Sequence, residues 1–123
     1  IGEASQVLDA LRLPYRTVDL CTGDLGIAAL ATRDLEVWLP SQRRYLEVSS
    51  VSNTGDFQAR RMGMKYLDAR SGQRDYVHTL NGTAVAVGRT IACILENGQK
   101  PDGSIDIPEV LHDYTKFSRI SPD

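Results

Sequence analysis

The sequence predicts an α+β fold, an antiparallel β-sheet with helices packed against it. Segments of strand character outnumber helical ones, most of them are joined by short turns, and Asp34–Leu39 and Tyr45–Ser50 form a hairpin across Pro40-Ser41-Gln42-Arg43-Arg44. Strands joined so tightly run antiparallel, since a parallel pair needs a crossover of about a dozen residues or more. A doubly wound parallel sheet is therefore disfavoured.

The elements follow from local chemistry. Residues 3–12 place Ala4, Val7, Leu8 and Leu11 on one helical face, and the pattern stops before Pro14, whose ring biases its predecessor away from helical angles. Tyr15–Leu20 alternates as a strand, Cys21-Thr22-Gly23-Asp24-Leu25-Gly26 is a glycine-punctuated loop, and Ile27–Ala31 is a short apolar piece of either type. In the hairpin, Leu35, Val37 and Leu39 share a face opposite Asp34, Glu36 and Trp38, and Leu46 and Val48 oppose Tyr45, Glu47 and Ser49. The two acidic faces are then neighbours.

Asp56 stands as the cap of a helix over Phe57–Arg61, followed by a strand at Met64–Asp68 and a turn at Arg70-Ser71-Gly72-Gln73. A strand from Tyr76 to about Val87 leads into a helix from near Gly88 to Glu96, with Ile91, Ile94 and Leu95 inward and Asn97-Gly98 as its stop. Pro101-Asp102-Gly103 is a turn, Pro108–His112 a last helical turn, and the stretch beyond Tyr114 a loose tail.

Composition narrows the function. The 123 residues, 41% hydrophobic and 24% charged, fit one domain. A formal charge of −2 supplies no bulk attraction for nucleic acid, which needs clustered Lys and Arg. Cys21 and Cys93 lie far apart with no histidine at zinc-ligand spacing, so reduced, buried thiols are expected rather than a disulfide or a structural metal. No apolar run approaches the roughly 20 residues of a membrane helix, and the N-terminus has no basic segment before an apolar one, so a cytoplasmic protein with no membrane contact is expected. Ile1 opens inside a helical pattern and is not an initiator methionine, as expected of a processed, excised or partial sequence.

The stretch His78–Arg89 has the character of a nucleotide site. Gly82, Ala84, Ala86 and Gly88 occupy alternate positions, so one face of an extended segment would be bare enough for a flat ligand, with Arg89 at its rim beside a helix N-terminus that favours anions. Other candidates have plain alternatives. Glu47 and Ser50 also fit a solvated strand-end carboxylate beside a turn serine. Asn81 and Thr83, two apart and on one face, fit satisfied polar residues of a sheet. Asp34 and Glu36 have the spacing of a catalytic carboxylate pair, but the hairpin context favours a polar sheet face. His78 and His112 stand alone, with no cysteine or serine at the spacing of a hydrolase.

Several of these segments, in this order and spacing, resemble the seryl-tRNA synthetases, members of class II of the aminoacyl-tRNA synthetases. They are Leu13-Pro14-Tyr15-Arg16, Cys21–Gly26, Asp34-Leu35-Glu36-Val37-Trp38-Leu39-Pro40, Glu47-Val48-Ser49-Ser50 with Ser52-Asn53, Asp56-Phe57-Gln58-Ala59-Arg60-Arg61, the His78–Arg89 run, and Leu95-Glu96-Asn97 with Asp102-Gly103-Ser104. The resemblance runs from about Leu11 to Tyr114.

It implies that residues 1–114 are the C-terminal part of a class II catalytic domain, from just after the second signature motif through the third, with 115–123 as the tail. The implied reaction joins L-serine to ATP as seryl-adenylate, releasing pyrophosphate, and then passes the seryl group to tRNA(Ser). Glu47 and Ser50 are implied as holders of Mg²⁺ and the ATP phosphates, and Val48 and Ser49 as main-chain contacts to the adenosine. Arg89 is implied as the catalytic arginine that lies over the adenine and reaches the γ-phosphate, a task for a planar, permanently charged fork. Asn81 and Thr83 are implied as readers of serine, and Arg60 and Arg61 as a pair with structural and site-facing members.

The family's first motif, the second motif's α-phosphate arginines, the Thr-x-Glu loop for the serine amino group and the N-terminal arm that grips tRNA would all precede Ile1. Homodimerisation belongs, by the same resemblance, to the full-length protein. The segment alone is expected to be weakly active at best and to present an unpaired sheet edge. Val51 and Thr54-Gly55 depart from many relatives. A noncatalytic relative that binds a nucleotide or a protein partner, or a purely structural module, are the alternatives.

Overall fold

The hairpin expected from the sequence is the centre of the molecule and is longer than its apolar runs. In the computed structural model, which describes residues 1–122, β2 (Ala31–Leu39) and β3 (Arg44–Asn53) pair antiparallel from Ala31↔Asn53 to Leu39↔Arg44. Two further strands complete a four-stranded antiparallel sheet in the order β1-β2-β3-β6, with β1 at Tyr15–Asp19 and β6 at Leu80–Thr83.

One face of this sheet is the core. Leu35, Val37 and Leu39 are essentially sealed from water and pack with Leu8 of α1 (Gly2–Ala10) and with Cys93 and Ile94 of α3 (Val87–Gly98). Both helices are amphipathic, so each buries one stripe against the apolar side of the strands and leaves the other side of the sheet free. Asn97 fastens the far end of α3 by donating from Nδ2 to the Trp38 carbonyl at 3.0 Å.

A short helix, α2 (Phe57–Met62), leads into a two-stranded hairpin of β4 (Lys65–Leu67) and β5 (Arg74–Tyr76). Gly63 ends α2 at φ 68°, a left-handed angle that a side chain resists, and the Met64 amide returns to the Ala59 carbonyl at 2.9 Å. Asp56 does occupy the N-cap position, yet its side chain bonds no amide there: it accepts from Arg60 Nε at 2.7 Å.

Two expectations need correction. The long strand from Tyr76 to Val87 is in fact the end of β5, an irregular link and β6, because the Thr79 amide turns to the Gly55 carbonyl at 2.9 Å and the Thr54 amide to the Thr79 carbonyl at 3.0 Å. The stretch beyond Tyr114, expected to be loose, holds β8 (Arg119–Ile120), which pairs with β7 (Ile105–Asp106). Helix α4 (His112–Thr115) precedes it. Charge holds this small sheet: Asp106 receives Lys100 Nζ at 3.0 Å and Arg119 Nε at 2.9 Å. The main chain of Asp106 also lies against Gly98, where any Cβ would collide with its carbonyl oxygen.

The expected loop at Cys21–Gly26 contains one 3-10 turn at Thr22–Asp24. Both cysteines are free thiols, but only Cys93 is buried as expected; Cys21 is exposed, because it stands in this surface loop. Burial pushes the Cys93 thiol pKa up, as expected for an inert core cysteine.

Leu35→Ala is expected to cost about 2–5 kcal/mol, because it opens a void beneath both helices, and urea denaturation measures it. The Asp106 carboxyl is held below its usual range chiefly by Lys100 and then by Arg119. Its contribution is therefore present above the ordinary carboxylate value and lost as pH falls through the depressed one. Amide protection factors at Ile107 and Ile120, corrected for the intrinsic pH dependence of exchange, should fall in that acid window, and in Asp106→Asn they should be low already at neutral pH.

Candidate functional site

The free face of the sheet is polar in an ordered way, because the register stacks its residues in rows across the strands. The central row runs Val18, Asp34, Ser50 and Thr83 over β1, β2, β3 and β6. On one side of it lie Arg16, Glu36 and Glu47, and on the other Ser52 and Asn81 with Thr32, whose hydroxyl is 2.7 Å from that of Ser52.

This arrangement depends on an irregularity that alternation alone misses. Glu47 and Ser50 are three residues apart, so a regular strand would point them to opposite faces. Between Leu35↔Ser49 and Glu36↔Glu47 the register slips by one residue, a β-bulge in which Val48 and Ser49 together oppose Leu35. Both bulge side chains are buried, Val48 at 0% and Ser49 at 1% exposure, so Ser50 lands on the face of Glu47. The expectation that Ser49 shares the face of Glu47 is corrected: its side chain is on the core side and its hydroxyl donates to the Thr83 carbonyl at 2.8 Å. What Val48 and Ser49 offer the open face is main chain.

The start of α3 is anchored to the same bulge. The Ala86 amide donates to the Val48 carbonyl at 2.6 Å, and Arg89 Nη1 donates to the Glu47 carbonyl at 3.0 Å while standing 3.4 Å from the Glu47 carboxylate. Arg89 and Glu47 thus meet directly, and both remain about half exposed. Glu36, facing Glu47 across the ladder, is neutralised from the other side by Arg16 Nε at 2.6 Å. The Arg16 guanidinium lies 4.1 Å from the Tyr45 ring centroid, and Tyr45 in turn meets Trp38 edge-on at 5.2 Å. Arg16 was not among the expected site residues; its signal was its place opposite Glu36 in an adjoining strand.

Other expected features resolve differently. Gly82 does not floor an open surface: a Cβ there would meet Val51 Cγ2 at 3.1 Å, on the side away from Asn81 and Thr83. Ala84 and Ala86 lie outside any strand and Gly88 is inside α3, where a Cβ would meet nothing within 4 Å. The bare extended ribbon is therefore absent, and the face is floored by the rows of β3 and β6. Arg60 is tied to Asp56 and lies 4.6 Å from the Tyr76 ring, and Arg61 leans over Phe57, so both engage α2 and its hairpin. His112 pairs with the Ile107 carbonyl at 2.9 Å, and His78 is exposed.

The carboxylate Glu47 and hydroxyl Ser50 on one face are the donor types Mg²⁺ takes beside phosphate oxygens and water. Among the described residues no group of three or more His, Cys, Asp or Glu forms a metal cage. A cavity of about 800 Å³ lies elsewhere, between the segment after α1, the end of α3 and the β7–α4 segment, and is lined by Leu11, Ile94, Asp106 and His112 among others. A flat, polar sheet face ending in a helix-borne arginine is open to a ligand from above.

Known proteins place this arrangement. The family described as tRNA synthetase class II core domain (G, H, P, S and T) matches residues 1–98, and the chain belongs to that family. Its relatives include serine–tRNA ligases: identity is 58% over 114 residues with that of Sulfurihydrogenibium sp., covering 93% of this chain and 27% of the relative. For that of Paracoccus denitrificans the identity is 60% over 111 residues, covering 90% and 26%. The crystal structure of seryl-tRNA synthetase from Pyrococcus horikoshii complexed with ATP superposes with a TM-score of 0.92 at 46% identity, over 99% of this chain and 27% of that one. Cytoplasmic serine–tRNA ligase from Naegleria fowleri in complex with AMP gives 0.86 at 37% identity. The chain spans about a quarter of the length of these relatives. Among the described residues no helix is long and apolar enough to cross a membrane.

The two glycines near the site separate by experiment. Gly82→Val should push β6 from β3 and lower stability by about 1–3 kcal/mol, whereas Gly88→Ala should leave it equal or higher, both read by urea unfolding.

Proposed function

We propose that this chain is the C-terminal part of the catalytic domain of a serine–tRNA ligase, which activates L-serine with ATP and passes the seryl group to the 3′-terminal adenosine of tRNA(Ser). The observation that carries the reading is the meeting of Arg89 with Glu47 at the β3 bulge, on the face that also holds Ser50, Asn81 and Thr83. The relatives named as serine–tRNA ligases, and the neighbour described as complexed with ATP, support it.

Attack of a carboxylate on the α-phosphate asks a protein for alignment and charge neutralisation more than for covalent chemistry. The face has the parts for both. Arg89 presents a planar cation fixed at its base by the Glu47 carbonyl, suited to lie over an adenine ring and reach a terminal phosphate. Glu47 and Ser50 would hold Mg²⁺, which neutralises phosphate charge when bound. The main chain at Val48 and Ser49 would border the adenosine. Asn81 and Thr83 offer hydrogen-bond partners that serine satisfies and alanine does not, the most selective way to read a small hydroxylated side chain. The wider reading is a homodimer working in the cytoplasm, with tRNA(Ser) held mainly by an N-terminal arm outside these residues.

The test is ATP–pyrophosphate exchange by the full-length protein carrying this chain, with and without serine. Serine-dependent exchange is expected; nucleotide binding without exchange would identify a noncatalytic relative instead, and neither would overturn the reading. Arg89→Lys should lower kcat/KM by about 10²–10³-fold, since an ammonium cannot both stack and reach. Thr83→Ala should reduce the preference for serine over alanine by about tenfold or more in the same assay.

A further inference from the structure

Asp34 is the one acid of the central rows without a counter-charge. It is 5% exposed, and its Oδ1 is buried with no hydrogen-bond partner among the described residues. The other two carboxylates of this face are each matched: Glu36 by Arg16 and Glu47 by Arg89. Along its own row Asp34 has Val18 on one side, which has no side-chain donor, and Ser50 on the other. Burying a carboxylate without donors is costly, and natural structures tolerate it where something outside the chain completes the group.

The face thus carries three carboxylates and two guanidiniums, with the unmatched charge directly across the ladder from a proposed cation ligand. Directly opposed residues of an antiparallel pair have Cβ atoms about 4.5–5.5 Å apart. A Mg²⁺ ion held by Glu47 and Ser50 would keep several waters, and a short carboxylate one strand away would be placed to meet those waters.

We propose that Asp34 is an outer-sphere anchor of the divalent cation held by Glu47 and Ser50: it accepts hydrogen bonds from metal-bound water and fixes the cation over the central row. It is a positioning residue, acting on the cation through water and making no contact with the reacting atoms. This rests on the cation reading of Glu47 and Ser50, and the test separates the two.

The probe is Mn²⁺ in place of Mg²⁺, titrated into the full-length protein carrying this chain with a non-hydrolysable ATP analogue present, free Mn²⁺ being followed by electron paramagnetic resonance. Asp34→Asn is expected to weaken Mn²⁺ binding about 10–100-fold, as removal of an outer-sphere partner does, while metal-free nucleotide affinity and serine affinity stay unchanged. Unchanged Mn²⁺ affinity in Asp34→Asn alongside loss in Glu47→Gln would overturn this inference alone. Unchanged affinity in both would remove the cation reading beneath it as well. Loss of serine affinity with Mn²⁺ affinity intact would also overturn it, moving Asp34 to the amino acid's ammonium group. Should Asp34→Asn fail to fold, Asp34→Glu, which keeps the charge but moves it by one methylene, is read in the same titration: a changed Mn²⁺ affinity supports the inference and an unchanged one overturns it.

Discussion

The contact between the first turn of α3 and the bulge in β3 is the constraint on which the site depends. A strand that inserts one extra residue bends and leaves main-chain groups outside the regular ladder, and these require partners when they lie near a core. Here the Val48 carbonyl receives the Ala86 amide and the Glu47 carbonyl receives Arg89. One local defect therefore does three things. It turns Ser50 onto the face of Glu47, seals Val48 and Ser49 into the interior, and supplies the acceptor that fixes where the Arg89 guanidinium stands.

The electrostatics of the face follow from the same geometry. Glu36 and Glu47 oppose each other across the β2–β3 ladder, an arrangement that like charges make unfavourable unless each finds a cation. Arg16 and Arg89 approach from opposite edges of the sheet and divide the task. Both arginines are about half exposed, so each pair contributes little to stability by itself. Their value is positional: arginines already held by carboxylates or carbonyls lose less freedom when a polyanionic ligand arrives.

Much of the architecture was legible in the sequence. Leu35, Val37 and Leu39 announced the buried face of β2, Pro14 the end of α1, and Asn97-Gly98 the end of α3. Short turns fixed the antiparallel sense. What failed was whatever depended on non-local contacts. The bulge leaves no mark in Glu47-Val48-Ser49-Ser50, and the groups that satisfy its carbonyls, Ala86 and Arg89, lie far along the chain. The run from Tyr76 to Val87 has continuous strand character, but Thr79 is drawn aside by Thr54 and Gly55 and divides it. Ile27 and Leu30 are apolar and yet exposed, at 95% and 70%, so their composition alone said nothing of their place. At the site, residue pattern alone drew attention to Arg89, and the resemblance to a family singled out Glu47, Ser50 and Thr83 and supplied the roles. The orphaned state of Asp34 and the part of Arg16 emerged only once the strands were in register.

Helix α3 joins regions that have different work to do. Its first turn carries Arg89, its middle buries Cys93 and Ile94 beneath the sheet, and its last residue, Gly98, lies bare against the main chain of Asp106 in the small C-terminal sheet. Twelve residues span about 18 Å, so the arginine and that glycine are opposite ends of one stiff rod. A tilt imposed at the distal end would swing the guanidinium, and the absence of a side chain at Gly98 is what lets the rod lie flat. The C-terminal segment thereby becomes a buttress for a group almost a helix length away.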